Sequence, residues 1–163
     1  MLANKVYILG GAQTDFTRNW AREGLELFDM FREVVIEGLI ATNTSLDRLG
    51  LKDRIILQTG NKLDNESGGL SGRPLQRKAN NIIKHIHNND KKIILIGVGG
   101  IDSPKAAWER ICSGASLIQV YTGWIYKGPI LVPEIAKGIL KQIELHKISN
   151  IKEAIGSGLK WQD

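Results

Sequence analysis

The sequence predicts an α/β fold in which parallel strands alternate with helices that cover them. Three short, mainly apolar runs predict buried strands: residues 39–42, 93–98 and 116–121. Three amphipathic segments predict helices between and after these strands: residues 74–88, 104–114 and 133–145. Strands without a polar face that alternate with helices are typical of a parallel sheet with helices on its faces.

The other predicted elements complete this pattern in chain order. Residues 5–9 (KVYIL) predict a first strand, and a helical apolar stripe follows within residues 27–35. Residues 43–65 form a mostly polar connection that is long for a compact domain, and such loops are usually functional or mobile. Ser103 and Pro104 predict a helix start, because Ser caps helix N-termini and Pro suits the first helical position.

Length and composition narrow the class of protein. The 163 residues are enough for one domain with a sizeable core, but a complete (β/α)₈ barrel usually needs about 250. No apolar run approaches the roughly 20 residues that span a membrane. The N-terminus lacks the basic region and apolar stretch of a secretory signal. We therefore expect a cytoplasmic globular protein.

Charge, cysteine and histidine patterns favour neither nucleic-acid nor metal binding. The net charge is +5, but the basic residues are scattered among acidic ones and form no stripe, so we expect no nucleic-acid partner. The single cysteine, Cys112, excludes an intramolecular disulfide and is expected to act as a small buried apolar residue. The three histidines have no metal-ligand spacing, and no metal site is predicted.

Two glycine-rich turns are candidate binding elements. Residues 97–101 (GVGGI) follow one predicted strand, and residues 121–123 (YTG) follow the next. Glycine lets the backbone approach a ligand closely, and free N–H groups at a helix start attract phosphate. In (β/α)₈ barrels the loops after the seventh and eighth strands commonly build a phosphate site. From this spacing alone, tight turns without a ligand remain the alternative.

Four strings along the chain carry a resemblance to a known family. They are ATNTSLDR at residues 41–48, GGLSGRPLQ at 68–76, IGVGGIDS at 96–103 and GASLIQVYTGWIYKG at 114–128. In this order and spacing they resemble the C-terminal part of the dihydroorotate dehydrogenases that pass electrons to quinone, over about residues 38–156. SGRPLQ and YTGWIYKGP favour the quinone-linked class over the soluble classes. The implied fold is a partial (β/α)₈ barrel of about three C-terminal strand–helix units.

The resemblance implies FMN as the cofactor. Thr42 and Gly72 match positions where the family contacts the flavin. Gly100, Tyr121 and Thr122 match positions where backbone groups hold the FMN phosphate. We expect the absence of a side chain at Gly100 to leave space for the phosphate oxygens.

The resemblance also implies a substrate and a reaction. Asn43 and Thr44 match positions where the family binds orotate or dihydroorotate. An Asn amide can both donate to and accept from the polar edge of a pyrimidine, although a turn role for Asn43 is the alternative. The implied reaction is the oxidation of dihydroorotate to orotate through FMN, with quinone as the acceptor, in pyrimidine biosynthesis.

Other family features have no counterpart in these strings. They are the serine base, the lysine near the flavin, further substrate-binding asparagines and the N-terminal helical segment that meets the membrane. We therefore assign no catalytic residue and expect the chain to be incomplete as an enzyme. A non-catalytic remnant that binds phosphate ligands weakly or not at all is the alternative. The open strand edges of a partial barrel also predict self-association.

Residues 5–39 resemble a different family. The first strand, the GAQTDF turn and the following helix are similar to the N-terminus of thiolase-like acetyl-CoA acetyltransferases. This resemblance divides the chain into residues 1–37 and 38–163, a fusion that joins near residues 34–38, and adds one strand and one helix to the partial barrel. An acyltransferase fragment is thus a third functional alternative, although Cys112 lies outside the thiolase-like part.

Overall fold

The computed structural model describes residues 38–48 and 50–163. The strand and helix predicted within residues 5–35, and the thiolase-like assignment, therefore lie outside the described residues. The described part contains four α-helices: α1 Gln76–Asn89, α2 Pro104–Cys112, α3 Thr122–Lys127 and α4 Leu131–Leu145. It also contains three 3₁₀ helices: Leu63–Asn65, Arg73–Leu75 and Ile151–Ala154. None of the helices described is long and apolar enough to cross a membrane.

The strands form a small parallel sheet, as predicted. Strand β1, Ile96–Gly97, pairs in parallel with strand β2, Leu117–Ile118, with Ile96 opposite Leu117. Leu39 extends the sheet on the other side through a parallel bridge to Leu95, with its N–H 2.8 Å from the carbonyl oxygen of Ile94. Three parallel segments thus lie side by side and end at the same edge of the sheet.

The regular strands are shorter than the apolar runs that predict them. The run at residues 93–98 contributes only two residues to β1. Just beyond β1, the carbonyl oxygens of Val98 and Gly99 accept hydrogen bonds from the Arg110 side chain instead of from a neighbouring strand. At the carboxyl edge, side-chain donors therefore take the place of the backbone hydrogen bonds between strands. Strand β1 ends early for this reason.

The helices pack on the sheet through two apolar clusters. The larger cluster joins α2 to α4 and includes Trp108, Ile111, Leu131 and Ile135. The smaller cluster places Ile83 of α1 against residues of the sheet. Two layers, helices against parallel strands, are the arrangement expected of part of a (β/α)₈ barrel.

Helix boundaries follow capping chemistry more closely than apolar periodicity. Helix α2 begins as predicted, because the Ser103 hydroxyl accepts a hydrogen bond from the N–H of Ala106 at 3.2 Å and Pro104 takes the first position. It ends at Cys112, two residues before the predicted end at Gly114, whose φ of +123° cannot continue a helix. Helix α3 is an element that the apolar pattern did not predict.

Candidate functional site

The three strand ends bring most of the predicted site residues to one edge of the sheet. Thr42 follows the segment that starts at Leu39, Gly100 follows β1, and Tyr121 and Thr122 follow β2. The carboxyl edge of a parallel sheet is where α/β proteins place ligands. Residues that are far apart in sequence therefore meet where a binding site is expected.

The turn after β1 packs against the start of helix α3. A Cβ atom on Gly123 would overlap the carbonyl oxygen of Ile101, so only glycine permits this approach. A Cβ atom on Gly72 would lie 3.1 Å from the Thr122 Cγ2 atom, and the Thr122 hydroxyl donates to the Ser71 hydroxyl at 3.2 Å. Three loops, at residues 71–72, 99–102 and 121–123, therefore form one continuous surface.

Backbone N–H groups line this surface. Gly99 and Gly100 adopt φ values of +94° and +76°, in the left-handed region that glycine tolerates. In the described ranges, no backbone or side-chain acceptor takes the N–H groups of Gly99, Gly100, Thr122 or Gly123. Successive free N–H groups in a turn and at a helix start favour an anion such as phosphate.

The requirement for glycine at position 100 has a packing reason that the sequence did not reveal. A Cβ atom at this position would lie 2.7 Å from the backbone nitrogen of Gln76 and 2.8 Å from its Cα atom. The missing side chain therefore makes room for the first turn of helix α1. The space that the missing side chain leaves is therefore filled by α1, and the expected role of Gly100 toward phosphate stays a prediction that concerns its N–H group.

The residues predicted for the flavin ring and the substrate make mainly local contacts. The Thr42 hydroxyl donates to the carbonyl oxygen of Val98 at 2.9 Å, which ties the first strand end to the glycine turn. The Asn43 side-chain oxygen accepts from the N–H of Thr44 at 2.7 Å, and both residues are exposed. Thr44 packs against Gly69, where a Cβ atom would overlap its hydroxyl.

Tyr121 contributes through its backbone. Its side chain is 73% exposed, and its carbonyl oxygen accepts from the N–H groups of Trp124 and Ile125 at 3.0 and 3.3 Å. Tyr121 thereby caps the start of α3, which presents the Thr122 and Gly123 N–H groups. The predicted backbone role of Tyr121 is consistent with this position and stays a prediction.

A charged pair lies at the rim of the surface. Arg73 donates through Nε to the Asp102 carboxylate at 2.9 Å, and its Nη2 atom lies 2.8 Å from the same oxygen. This ion pair joins the loop before α1 to the loop before α2. In the residues described, no three His, Cys, Asp or Glu side chains lie close enough together to hold a metal ion.

Sequence reasoning did not assign Arg110 or Ser71 to this site, whereas Gly123 lies in the glycine-rich turn at residues 121–123 that the sequence analysis identified. Arg110 is fully buried beneath the glycine turn, and burial lowers its pKa to about 10, so it stays charged at neutral pH. One signal could have found it: Arg110 lies four residues after buried Ala106 on α2, which puts a charge on the apolar face. Ser71 carries no comparable signal.

The parallel strands covered by helices, with glycine turns at their carboxyl edge, are the arrangement of part of a (β/α)₈ barrel. The family profile described as dihydroorotate dehydrogenase matches residues 22–143, about three quarters of the chain. This chain therefore belongs to the dihydroorotate dehydrogenase family. The match begins upstream of the predicted boundary at residue 38, and the comparisons give no support to a thiolase-like segment.

Curated relatives and solved structures agree with this family. The chain is 52% identical over 128 residues to a dihydroorotate dehydrogenase (quinone) of Prochlorococcus marinus, covering 78% of this chain and 33% of that protein. It is 46% identical over 136 residues to the Nostoc punctiforme protein of the same name, covering 83% of this chain and 36% of that protein. The chain spans about a third of the length of these relatives.

A solved structure shows the same likeness. The dihydroorotate dehydrogenase of Eimeria tenella, solved in complex with ferulenol, matches with a TM-score of 0.62 and 32% identity. The match covers 79% of this chain and 33% of that chain. The α/β partial barrel predicted from the sequence is thus confirmed.

Proposed function

We propose that this chain supplies the FMN-phosphate-holding part of a quinone-linked dihydroorotate dehydrogenase. The observation that carries the proposal is that four N–H groups without an acceptor among the described residues, those of Gly99, Gly100, Thr122 and Gly123, belong to loops that pack together at one carboxyl edge. Membership of the family connects this anion site to the FMN that the sequence resemblance implies. The chain aligns with only a third of the length of its relatives. The complete reaction is therefore proposed for the whole protein and not for this chain alone.

The residues present fit the phosphate of FMN. A phosphate needs several donors, and the positive φ values of Gly99 and Gly100 give a turn whose N–H groups have no acceptor among the described residues. In this proposal the backbone of Gly100, Tyr121 and Thr122 binds the phosphate, while Gly72 and Thr42 lie beside the flavin. When bound, FMN supplies the hydride-accepting chemistry of the reaction.

Asn43 and Thr44 are proposed to bind the pyrimidine substrate. Both are exposed beside Thr42, at the strand end nearest the glycine turn. The Asn43 oxygen is engaged with the Thr44 N–H, but its side-chain amide nitrogen has no acceptor among the described residues. That nitrogen is free to donate to a carbonyl oxygen of orotate or dihydroorotate.

The electron acceptor is proposed to be a quinone, after which the curated relatives are named. Directly after Thr122, helix α3 exposes Trp124, Ile125 and Tyr126, with 44%, 68% and 84% of their surface accessible. An apolar surface next to the proposed flavin edge suits an apolar acceptor better than a soluble charged one. This placement supports the quinone-linked class within the proposal.

The test is a comparison of FMN with riboflavin, which differs from FMN in lacking the phosphate. The 163-residue chain is titrated with each compound while flavin fluorescence is followed. We expect FMN to bind more tightly by at least roughly tenfold, because charge-assisted hydrogen bonds to the phosphate are lost with riboflavin.

A matched control separates the phosphate site from the substrate site. Asn43→Ala removes a residue assigned to the pyrimidine and should leave the ratio of the two affinities unchanged. Equal affinity for FMN and riboflavin in the unmodified chain would contradict the proposal and would favour a non-catalytic remnant.

A further inference from the structure

Arg110 is a buried charge that is neutralised by backbone carbonyl groups. Its guanidinium donates to the carbonyl oxygens of Val98 at 2.5 Å and Gly99 at 2.6 Å, and its Nη2 atom also lies 3.4 Å from the carbonyl oxygen of Gln76. Its Nε atom donates to the side-chain oxygen of Asn80 at 2.5 Å. No carboxylate in the part of the chain that the structure describes forms an ion pair with it.

The Arg110 side chain packs directly against strand β1, at Gly97. Arg110 is 0% exposed, and a Cβ atom on Gly97 would lie 2.5 Å from its Cγ atom and 2.7 Å from its Cδ atom. Only glycine at position 97 therefore lets the side chain pass beneath β1 to the turn. An uncompensated buried charge is strongly unfavourable, so the carbonyl groups that surround it must keep their orientation.

These carbonyl bonds also determine where two N–H groups point. In a trans peptide the carbonyl group and the following N–H group point in opposite directions, and the described chain contains no cis peptide. Because Arg110 holds the carbonyl oxygens of Val98 and Gly99, the N–H groups of Gly99 and Gly100 point away from it. Those are two of the four free N–H groups of the candidate anion site.

We propose that Arg110 is a positioning residue, which orients the Gly99 and Gly100 N–H groups toward a phosphate without touching it. The proposal rests on the proposed function, since the ligand is the phosphate of FMN. The planar guanidinium reaches the two carbonyl oxygens with separate nitrogen atoms, whereas a lysine ammonium is a single point of charge. The residue thus acts through the turn and stays out of contact with the cofactor.

Two variants of the 163-residue chain test this role. Arg110→Met keeps an apolar stem but removes all donors, and Arg110→Lys keeps one charged group. The ratio of FMN to riboflavin affinity is measured for each by flavin fluorescence. We expect the ratio to fall by roughly tenfold or more in Arg110→Met and by a smaller factor in Arg110→Lys, because hydrogen bonds to a charged group are strong only when aligned.

Ile111→Ala is the matched control. It removes buried apolar contacts of the same helix but no hydrogen bond to the carbonyl groups of Val98 and Gly99, so it should lower the urea midpoint and leave the affinity ratio unchanged. In the unmodified chain, inorganic phosphate should shift the backbone amide NMR signals of Gly99 and Gly100. In Arg110→Lys these shifts should be smaller, which a purely structural role does not explain.

The outcomes distinguish this inference from the proposed function. If the unmodified chain prefers FMN and folded Arg110→Met keeps the full preference, the positioning role is wrong while the phosphate site stands. If Arg110→Met does not fold, Arg110→Lys decides: an unchanged ratio overturns the role, and a reduced ratio supports it. If the unmodified chain shows no preference, the proposed function fails and this inference fails with it.

Discussion

At the scale of single residues, the candidate site is made of backbone groups that a few side chains hold in place. Gly72 and Gly100 are conformational requirements, with φ values of +75° and +76°. Thr42 and Arg110 both donate to the carbonyl oxygen of Val98, so two side chains fix one peptide group. Substitutions here are therefore expected to act on backbone geometry first and on ligand contacts second.

Gly100→Val is expected to destabilise the chain as well as remove its preference for FMN. The new side chain would overlap the first turn of α1 and would require a left-handed backbone at a β-branched residue. The combined strain and overlap cost about 3 kcal/mol. Urea unfolding measures this change, and Gly60→Val is the control, because a Cβ atom there meets nothing within 4 Å although its φ is also positive. Equal urea midpoints for the two variants would contradict the packing argument.

Cys112 is expected to be unreactive in the folded chain. Burial raises the pKa of its thiol, so less of the nucleophilic thiolate is present at pH 8 than in the unfolded chain. A raised pKa in the folded state means that the neutral thiol contributes stability below the unfolded pKa, and that this contribution is lost as pH rises through the folded pKa. Reaction with a disulfide reagent at pH 8 should be at least about tenfold slower in buffer than in concentrated urea. Comparable rates in the two conditions would show that the thiol is accessible.

At the scale of secondary-structure elements, the sequence predicts well where burial decides the structure and poorly where a tertiary contact does. Helix α1 and helix α4 have apolar stripes that face the core, and both predictions are within two residues of the observed ends. Helix α3 has only six residues and exposes Trp124, Ile125 and Tyr126 in succession, which gives no helical period. Its start is fixed by its position after β2, a property of the sheet that no local pattern encodes.

In the long connection between residues 48 and 68, one side chain holds several backbone groups. Arg48 donates to the carbonyl oxygens of Leu63, Glu66 and Gly68 at 2.6 Å each. The Thr59 hydroxyl, which donates at 2.7 Å, lowers the pKa of the Glu66 carboxyl most, and Asn61 adds to the effect. These hydrogen bonds explain why a loop with little regular secondary structure adopts a defined conformation.

Arg48→Ala is therefore expected to loosen residues 50–66 without unfolding the core. The backbone carbonyl groups of the loop lose their shared donor, and the backbone around its exposed apolar residues, such as Leu57, becomes flexible enough for thermolysin to cleave. Cleavage within the loop should be several-fold faster in Arg48→Ala than in Arg54→Ala, whose side chain makes none of these bonds. Acid should act in the same direction, because the stabilisation from Glu66 is lost as pH falls through its lowered pKa. Equal cleavage rates in both variants would show that Arg48 does not stabilise the loop.

At the scale of the whole molecule, the sequence resemblance identified the family, while the arrangement of the site came from the structure. From the sequence alone, the order of the two glycine turns predicts that Gly100 and Thr122 lie at one edge of the sheet. The buried path of Arg110 could not be foreseen, because it depends on Gly97, Asn80 and the first turn of α1 meeting in space. Contacts between elements that are far apart in sequence determine the fine geometry, and a single sequence does not contain them explicitly.

Self-association is the prediction that belongs to this scale. In the described residues, strand β2 pairs on one side with β1 and has no second strand partner, so its outer edge carries unpaired backbone groups. Unpaired strand edges bind other strands, and the exposed apolar side chains of Trp124, Ile125 and Tyr126 directly beyond that strand add an apolar contact surface.

We expect light scattering to give a mass above the 18.1 kDa of one chain, and the mass should rise with concentration. Trp124→Lys should lower the mass at a given concentration, because it places a charge on the exposed apolar surface while leaving the core cluster intact. Lys127→Ala is the control, since it changes the charge of the same helix by one unit without altering its apolar residues. The net charge of +5 would oppose association at low salt, so added salt should increase the mass if edge pairing and apolar contact drive it. A mass that stays at one chain across concentrations and salt conditions would show that this edge is not available for pairing.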